Sequence, residues 1–289
     1  LTVALRGARR SRCFSIASSA HRADGRAELA VKATGGGGVS DHLVWSARPG
    51  QAVDLSLPGG DFVLPDDRPD HVVLISGGSG ITPVLSMLRT LDDEHFAGTV
   101  SFLHYARTPA DVIAGREIRR IAARRPTWRI VVATTAPGAT GAGVAGRFRA
   151  DHAAALAPGA TGAPVWVCGP RGLAAGVDAA WRDAGSSAPV HVERYQLGPV
   201  PAHDSHGARI CFLRSGIEVV DDGRPLLVQA EAAGLVPRHG CRAGQCHTCI
   251  RRKPAGTVRD LRTGDLVDEP DALVQICVTV PAGDVTIDL

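Results

Sequence analysis

Four cysteines near the C-terminal end constrain this chain more than any other feature. They lie within 37 residues, spaced Cys241-x4-Cys246-x2-Cys249, then 27 residues, then Cys277. A C-x4-C-x2-C run with a distant fourth cysteine is the plant-type spacing for a 2Fe–2S cluster. One loop can deliver three thiolates to a compact cluster only if it curls tightly. Gly240 and Gly244 permit that curl, because glycine tolerates positive φ. Such a loop also turns backbone N–H groups inward, toward charge on sulfur. The fourth ligand must come from another element, expected as a strand Gln275-Ile276-Cys277-Val278. A four-cysteine zinc site is the competing reading, but zinc sites usually show two C-x2-C pairs. A disulfide framework fits less well, since the chain has only seven cysteines in 289 residues, an odd number. With Cys13, Cys168 and Cys211 scattered, the pattern suits one metal site in a reducing compartment, and a cytoplasmic location is expected.

The rest of the chain falls into three blocks, as its length allows. Residues 1–66 alternate short apolar runs with turns (LTVAL, CFSIAS, ELAVKA, AVDLSL), the pattern of a partial antiparallel β-barrel. Residues 67–199 alternate strand-like runs (HVVLIS, TVSFLHYA, WRIVVATT, PVWVCG, VHVERY) with helical ones (PVLSMLRTL, EIRRIAARR, LAAGVDAAWRDAG). That alternation predicts an α/β doubly wound parallel sheet. A linker, LGPVPAHDSHG, leads into residues 205–289, which read as a small α+β domain. The net charge of +3 gives no general reason to expect nucleic acid. No apolar run approaches the ~18–20 residues of a membrane span, and no signal peptide is evident.

The block GCRAGQCHTC with the later QICVTV resembles a plant-type ferredoxin domain of the β-grasp fold. His247, inside the loop, is expected to be an exposed side chain and not a ligand. Arg12-Cys13-Phe14-Ser15 resembles the R-x-Y-S flavin motif of the ferredoxin–NADP reductase superfamily. There an arginine fork pairs with phosphate, an aromatic ring stacks on the isoalloxazine, and a hydroxyl reaches flavin N5. Phe14 keeps the stacking but lacks the tyrosine hydroxyl. Lys32, ending ELAVK, is a further flavin-binding candidate, and Gly37-Gly38-Val39-Ser40 matches the family's G-x-x-S segment, which lines the flavin pyrophosphate. Gly59-Gly60-Asp61-Phe62 resembles the closing segment. FAD is implied over FMN, which the phthalate-type reductases use. In that family further barrel strands usually precede the arginine motif, and here eleven residues do. The resemblance therefore implies an N-terminally truncated barrel that binds flavin weakly or not at all.

The nicotinamide site is implied by Gly77-Gly78-Ser79-Gly80-Ile81-Thr82-Pro83, a glycine turn from strand into helix that suits a pyrophosphate. Cys168-Gly169-Pro170 resembles the family's C-G-P segment, whose cysteine lies near nicotinamide C4; a buried core thiol is the alternative for Cys168. Glu193 matches an acidic position near the flavin ring. With Ser15 and Cys168 it makes the expected catalytic set. Arg107, and more weakly Arg116, favour the 2′-phosphate of NADPH over NADH.

Together these sites imply a reductase that passes electrons from NADPH through FAD to a 2Fe–2S cluster, and on to an oxygenase or a membrane fatty-acyl desaturase. The segments LHYARTPADVI, RAGQCHTCIRRKPAGTVRDLRTG and DEPD carry the desaturase resemblance. Membrane contact is then expected only peripherally, through the acceptor. Arg238, Arg242, Arg251, Arg252 and Lys253 form an expected basic docking rim. The alternatives are an NAD(P)H oxidase or quinone or metal reductase with a small-molecule acceptor, and a non-catalytic zinc- or redox-binding protein.

Overall fold

A computed structural model describes residues 2–5, 8–136, 144–156, 159–195 and 207–289, with side chains from residue 11 onward. The first block is mostly irregular. Strands β1 (Thr2–Leu5) and β2 (Ala8–Ser11) form an antiparallel hairpin. A single antiparallel bridge joins Ile16 to Leu29, and a short helix α1 (Val39–Trp45) follows. The run AVDLSL, expected as a strand, forms no strand element. Its Leu55 and Leu57 are exposed, so its alternation buries no apolar face.

The second block is the expected doubly wound sheet. Strands β3 (His71–Gly77), β4 (Thr99–Ala106), β5 (Arg129–Thr134), β6 (Val165–Cys168) and β7 (Val190–Glu193) stand in the order β5-β4-β3-β6-β7. Every pairing is parallel. Helices α2 (Ile81–Asp93) and α3 (Gly115–Arg124) cover one face. Helices α4 (Ala150–Leu156) and α5 (Arg171–Asp183) cover the other. Cover on both faces is why β3 reads as a near-continuous apolar run. Strand order reverses between β3 and β6. The crevice beyond their carboxyl ends is the topological switch point, where open α/β sheets bind ligands.

Residues 17–20 run along α2. Ser86 Oγ donates to the Ser18 carbonyl at 2.7 Å, Arg89 to the Ala17 carbonyl at 2.6 Å, and the Ala20 N–H to Thr90 Oγ1 at 3.0 Å. Arg89 is fixed in turn by Glu117 at 2.6 Å. These contacts fix the preceding Arg12–Ser15 stretch at the carboxyl end of the sheet.

The third block contains β8 (Arg209–Phe212), β9 (Ile217–Val220), α6 (Leu226–Ala232), β10 (Ile250–Lys253), β11 (Ala255–Asp260), β12 (Leu266–Val267), β13 (Ala272–Gln275) and β14 (Thr279–Ile287). Five strands form one sheet, β12-β11-β14-β8-β9, in which β14 and β8 run parallel. Helix α6 buries Leu226, Leu227 and Ala230 in a core with Ile210, Phe212, Val258 and Val285. Strands β10 and β13 pair separately and antiparallel. That pair places Cys249, just before β10, beside Cys277, just after β13. Cys277 therefore lies in the turn between β13 and β14 and not, as expected, on a strand. The turn is tied by Ile276 N–H to the Cys249 carbonyl at 3.4 Å and Val278 N–H to the Gln275 carbonyl at 2.9 Å.

The expected linker, and with it the boundaries at 199 and 205, lies outside the described residues save Gly207. Among the described residues, no helix is long and apolar enough to cross a membrane.

Candidate functional site

The two signature turns of the sheet interlock at the switch point. An added Cβ at Gly80 would lie 2.2 Å from the Cys168 carbonyl oxygen, and one at Gly169 would lie 3.0 Å from Gly77 N. Only glycine lets the GGSG turn press on the C-G-P turn. Gly78 adopts a positive φ of 56°. Ile81, Thr82 and Pro83 open helix α2 and are buried; Thr82 Oγ1 donates to the Ser79 carbonyl at 2.9 Å. Pro170 caps α5.

Register carries a polar row across the sheet. Ser76 pairs with His104 on one side and Cys168 on the other, and Cys168 pairs with Glu193. The Cys168 thiol is fully buried beside Glu193 and Tyr195; burial, then the Glu193 charge, pushes it up. Burial raises Glu193 to about 7. Ser15 Oγ donates to Glu193 Oε2 at 3.3 Å and lies 3.1 Å from the Tyr195 hydroxyl. Ser15, Cys168 and Glu193, distant in sequence, thus meet at one point. Tyr195 joins them, a residue the sequence reading passed over although it stands two positions after Glu193. Its phenol brings a hydroxyl to Ser15, where Phe14 has none.

The other expected residues are placed as follows. Arg12 and Lys32 are exposed and Phe14 is half-buried. The loop expected to line a pyrophosphate closes on Asp41, whose carboxylate accepts the N–H groups of Thr34, Gly35 and Gly37 at 2.6, 2.9 and 2.7 Å and hydrogen-bonds that of Gly38. Gly37 and Gly38 therefore have their donors engaged. Val39 and Ser40 begin α1 and are buried. At its ring end the polar set fits a flavin; at its pyrophosphate end Asp41 occupies the nest. Arg107 is exposed and meets Asp111 at 3.4 Å. Arg116 is exposed at the start of α3.

At the other end of the structure the four cysteines meet in two pairs. Cys241 sits beside Cys246, and Cys249 beside Cys277. Among the described residues, no three metal-ligating side chains converge on one point. Two thiol pairs, one for each iron, suit a binuclear cluster; a single zinc would need four sulfurs around one centre. The N–H groups of Ala243, Gln245 and Cys246 point at Cys241 Sγ at 3.2–3.4 Å, and Cys241 N–H points at Cys246 Sγ at 3.2 Å. Such donors stabilise thiolate. Cys277 holds the Cys249 thiol below its usual range. The loop is held shut through the Gly244 carbonyl, which accepts from Arg262 Nη1 at 3.0 Å and Gln275 Nε2 at 3.1 Å. Neither residue was singled out from sequence, because each acts through backbone far along the chain.

The basic rim is largely neutralised. Arg242 pairs with Glu231 and Arg252 with Asp271 and Asp288. Arg251 is turned to backbone carbonyls. Lys253 leaves the rim altogether. It is fully buried, and its ammonium donates to the carbonyls of Gly256, Glu269 and Asp268 at 2.6, 2.9 and 3.4 Å. The sequence reading placed it by neighbourhood, but strand alternation on β10 turns it inward, opposite to Arg252. His247 is exposed as expected, and its Nε2 also lies 2.8 Å from Asp61 Oδ2.

That contact, and two others, join the cluster loop to the first block. Backbone at Gly60 packs on the Gln245 carbonyl, at 3.1 Å from an added Cβ. The Cys13 thiol lies beside that of Cys246, the two sulfurs flanking Gly240. Ser15, two residues on, touches Glu193. Two residues of chain span at most about 7 Å. One short stretch therefore touches both the Glu193 group and the cysteine loop.

Comparison with known proteins follows this division. Residues 74–179 match the family model for an oxidoreductase NAD-binding domain, and residues 212–282 match that for a 2Fe-2S iron-sulfur cluster binding domain. The chain is 38% identical over 284 residues to an NADPH oxidoreductase of Mycobacterium tuberculosis (strain ATCC 25618 / H37Rv), spanning 97% of this chain and 72% of that one. It is 29% identical over 285 residues to the glycine betaine monooxygenase reductase subunit of Pseudomonas aeruginosa (strain UCBPP-PA14), spanning 90% and 77%. The solved structure of phthalate dioxygenase reductase superposes with a TM-score of 0.62 at 24% identity, covering all of this chain and 86% of that one. It shares the fold.

Proposed function

We propose, since the chain belongs to the ferredoxin–NADP reductase family with a C-terminal 2Fe–2S ferredoxin domain, that it draws electrons from NADPH and delivers them through FAD and the cluster to an oxygenase. The observation that carries this reading is the Arg12–Ser15 stretch, which touches Glu193 through Ser15 and Cys246 through Cys13. When bound, a flavin takes hydride and gives up electrons singly, and a 2Fe–2S cluster takes them one at a time.

On this reading residues 1–66 form the flavin-binding unit, 67–199 the nicotinamide unit and 205–289 the cluster unit. Cys241 and Cys246 hold one iron, and Cys249 and Cys277 the other. The glycine turn at residues 77–80 and the N-terminus of α2 receive the dinucleotide pyrophosphate. Ser15, Cys168 and Glu193, with Tyr195, orient the reacting rings, and the Glu193 carboxyl holds a proton below about pH 7. Arg12, Phe14, Lys32, Val39 and Ser40 line the flavin.

An anaerobic visible spectrum of the purified chain tests the core. Flavin bands and the broad cluster absorbance, both bleaching with NADPH, are expected. Zinc without visible absorbance would sink the reading, and stoichiometric extraction of FMN would replace FAD. NADPH over NADH rests on Arg107 and on the name of the mycobacterial relative. Arg107→Ala is expected to lower kcat/KM for NADPH about tenfold or more and leave that for NADH nearly unchanged; equal losses would remove Arg107 from the site.

The oxygenase acceptor is supported by the monooxygenase reductase relative. The desaturase-like segments favour a membrane desaturase as the other acceptor. Reconstitution with each enzyme distinguishes them. Loss of delivery in a cluster-free variant excludes a small-molecule acceptor served by the flavin alone.

A further inference from the structure

Cys13 occupies the variable position of the arginine motif, yet its side chain is aimed at the cluster loop. Two observations place it there. Cys246 is the neighbour that, together with burial, pushes the Cys13 thiol up. Independently, an added Cβ at Gly240 would lie 2.6 Å from Cys13 Sγ and 2.8 Å from Cys246 Sγ. Gly240 is absent from the residues with positive φ, so glycine serves here to give space to two sulfurs. A fifth sulfur thus stands against a site that needs four.

We propose that Cys13 is a positioning residue for electron entry into the cluster: its thiol donates S–H to Cys246 Sγ, seating the Arg12–Ser15 stretch on the cluster loop and easing reduction of the cluster. The inference rests on the reading that these cysteines hold a 2Fe–2S cluster. A thiol at neutral pH is a donor, if a weak one. Hydrogen bonds to a ligand sulfur favour the more negative, reduced state, and so raise the potential. Cys13 comes from a different domain than the ligand it touches, so the same contact reports whether the two domains are seated. Removal of Cys13 then affects both the cluster's potential and its supply.

The test is a redox titration of the full, cluster-loaded chain with mediator dyes, followed by electron paramagnetic resonance of the reduced cluster. Cys13→Ala is expected to shift the one-electron equilibrium about tenfold toward the oxidised cluster, a fall of about 59 mV. Cys13→Ser, which keeps a donor, returns most of that shift. Gly240→Ala, which drives the two sulfurs apart, lowers the potential in the same direction and guards against a Cys13→Ala chain that fails to fold. Unchanged potentials in Cys13→Ala and Gly240→Ala overturn the proposal. Equal falls in Cys13→Ala and Cys13→Ser also overturn it, since packing and not donation would then be responsible. The titration needs neither flavin nor NADPH. A chain that NADPH fails to bleach would refute the functional reading and leave this measurement standing.

Discussion

Glu193 sits at the meeting point of three elements with a carboxyl raised to about 7 by burial. In the unfolded chain it ionises near 4.5. Between these values the folded protein binds a proton that the unfolded chain has released, so stability falls as pH rises through the interval and levels off above it. The native chain should therefore lose thermal stability between about pH 5 and pH 8. Glu193→Gln, neutral throughout, should lose less, as calorimetry at the two pH values would show. Equal losses would mean that the carboxyl is not raised. At the same point, Tyr195→Phe keeps the ring but removes the hydroxyl from Ser15 and Cys168. We expect the rate of NADPH-driven bleaching to fall roughly tenfold, the weight of one hydrogen bond of about 1.4 kcal/mol; an unchanged stopped-flow rate would assign Tyr195 to packing alone. Ser15, Cys168 and Glu193 were legible because each stands in a short motif. Tyr195 was not, since an aromatic two residues past a strand's end reads equally well as core or surface until its partners are known.

Elements are fixed here by backbone approach as much as by side chains. Gly80→Ala forces a Cβ to 2.2 Å from a carbonyl oxygen that cannot move without shifting β6. Overpacking of this kind costs about 1–3 kcal/mol, and we expect at least that loss in a denaturant titration, together with weaker NADPH binding. Lys253→Met keeps the volume but takes the donor from three carbonyls, two of them on exposed residues, a cost of about 1–3 kcal/mol. A denaturation midpoint equal to the native one would show that water replaces the ammonium. The inner strands β3, β4 and β6 were legible in sequence because burial on both faces makes them near-continuous apolar runs. The β10–β13 pair was not, because IRRK carries three cations and reads as surface. Only the pairing register turns its lysine inward.

At the scale of the molecule, the cluster unit is seated by a few contacts around Asp61, Gly60 and Cys13. The Asp61–His247 pair is exposed, and such pairs contribute about 0–1 kcal/mol. Asp61→Ala should therefore slow transfer between the flavin and the cluster by no more than about fivefold. A complete loss, seen by rapid-mixing absorbance, would mean that this one pair holds the domains together. The three-unit order was legible from its motifs, whereas their mutual seating was not, because Cys13 and Gly60 stand in motifs that point to a flavin and not to the cysteine loop they touch.

The inward turn of Lys253 has a practical consequence. The chain has two lysines, Lys32 and Lys253. One is caged by carbonyls, and the other is exposed beside the glycine loop of the first block. An amine-reactive dye should thus mark the folded protein at a single side chain, Lys32. Reaction at Lys253 would begin only when the cluster unit unfolds, which makes the pair a built-in gauge of that unit's integrity.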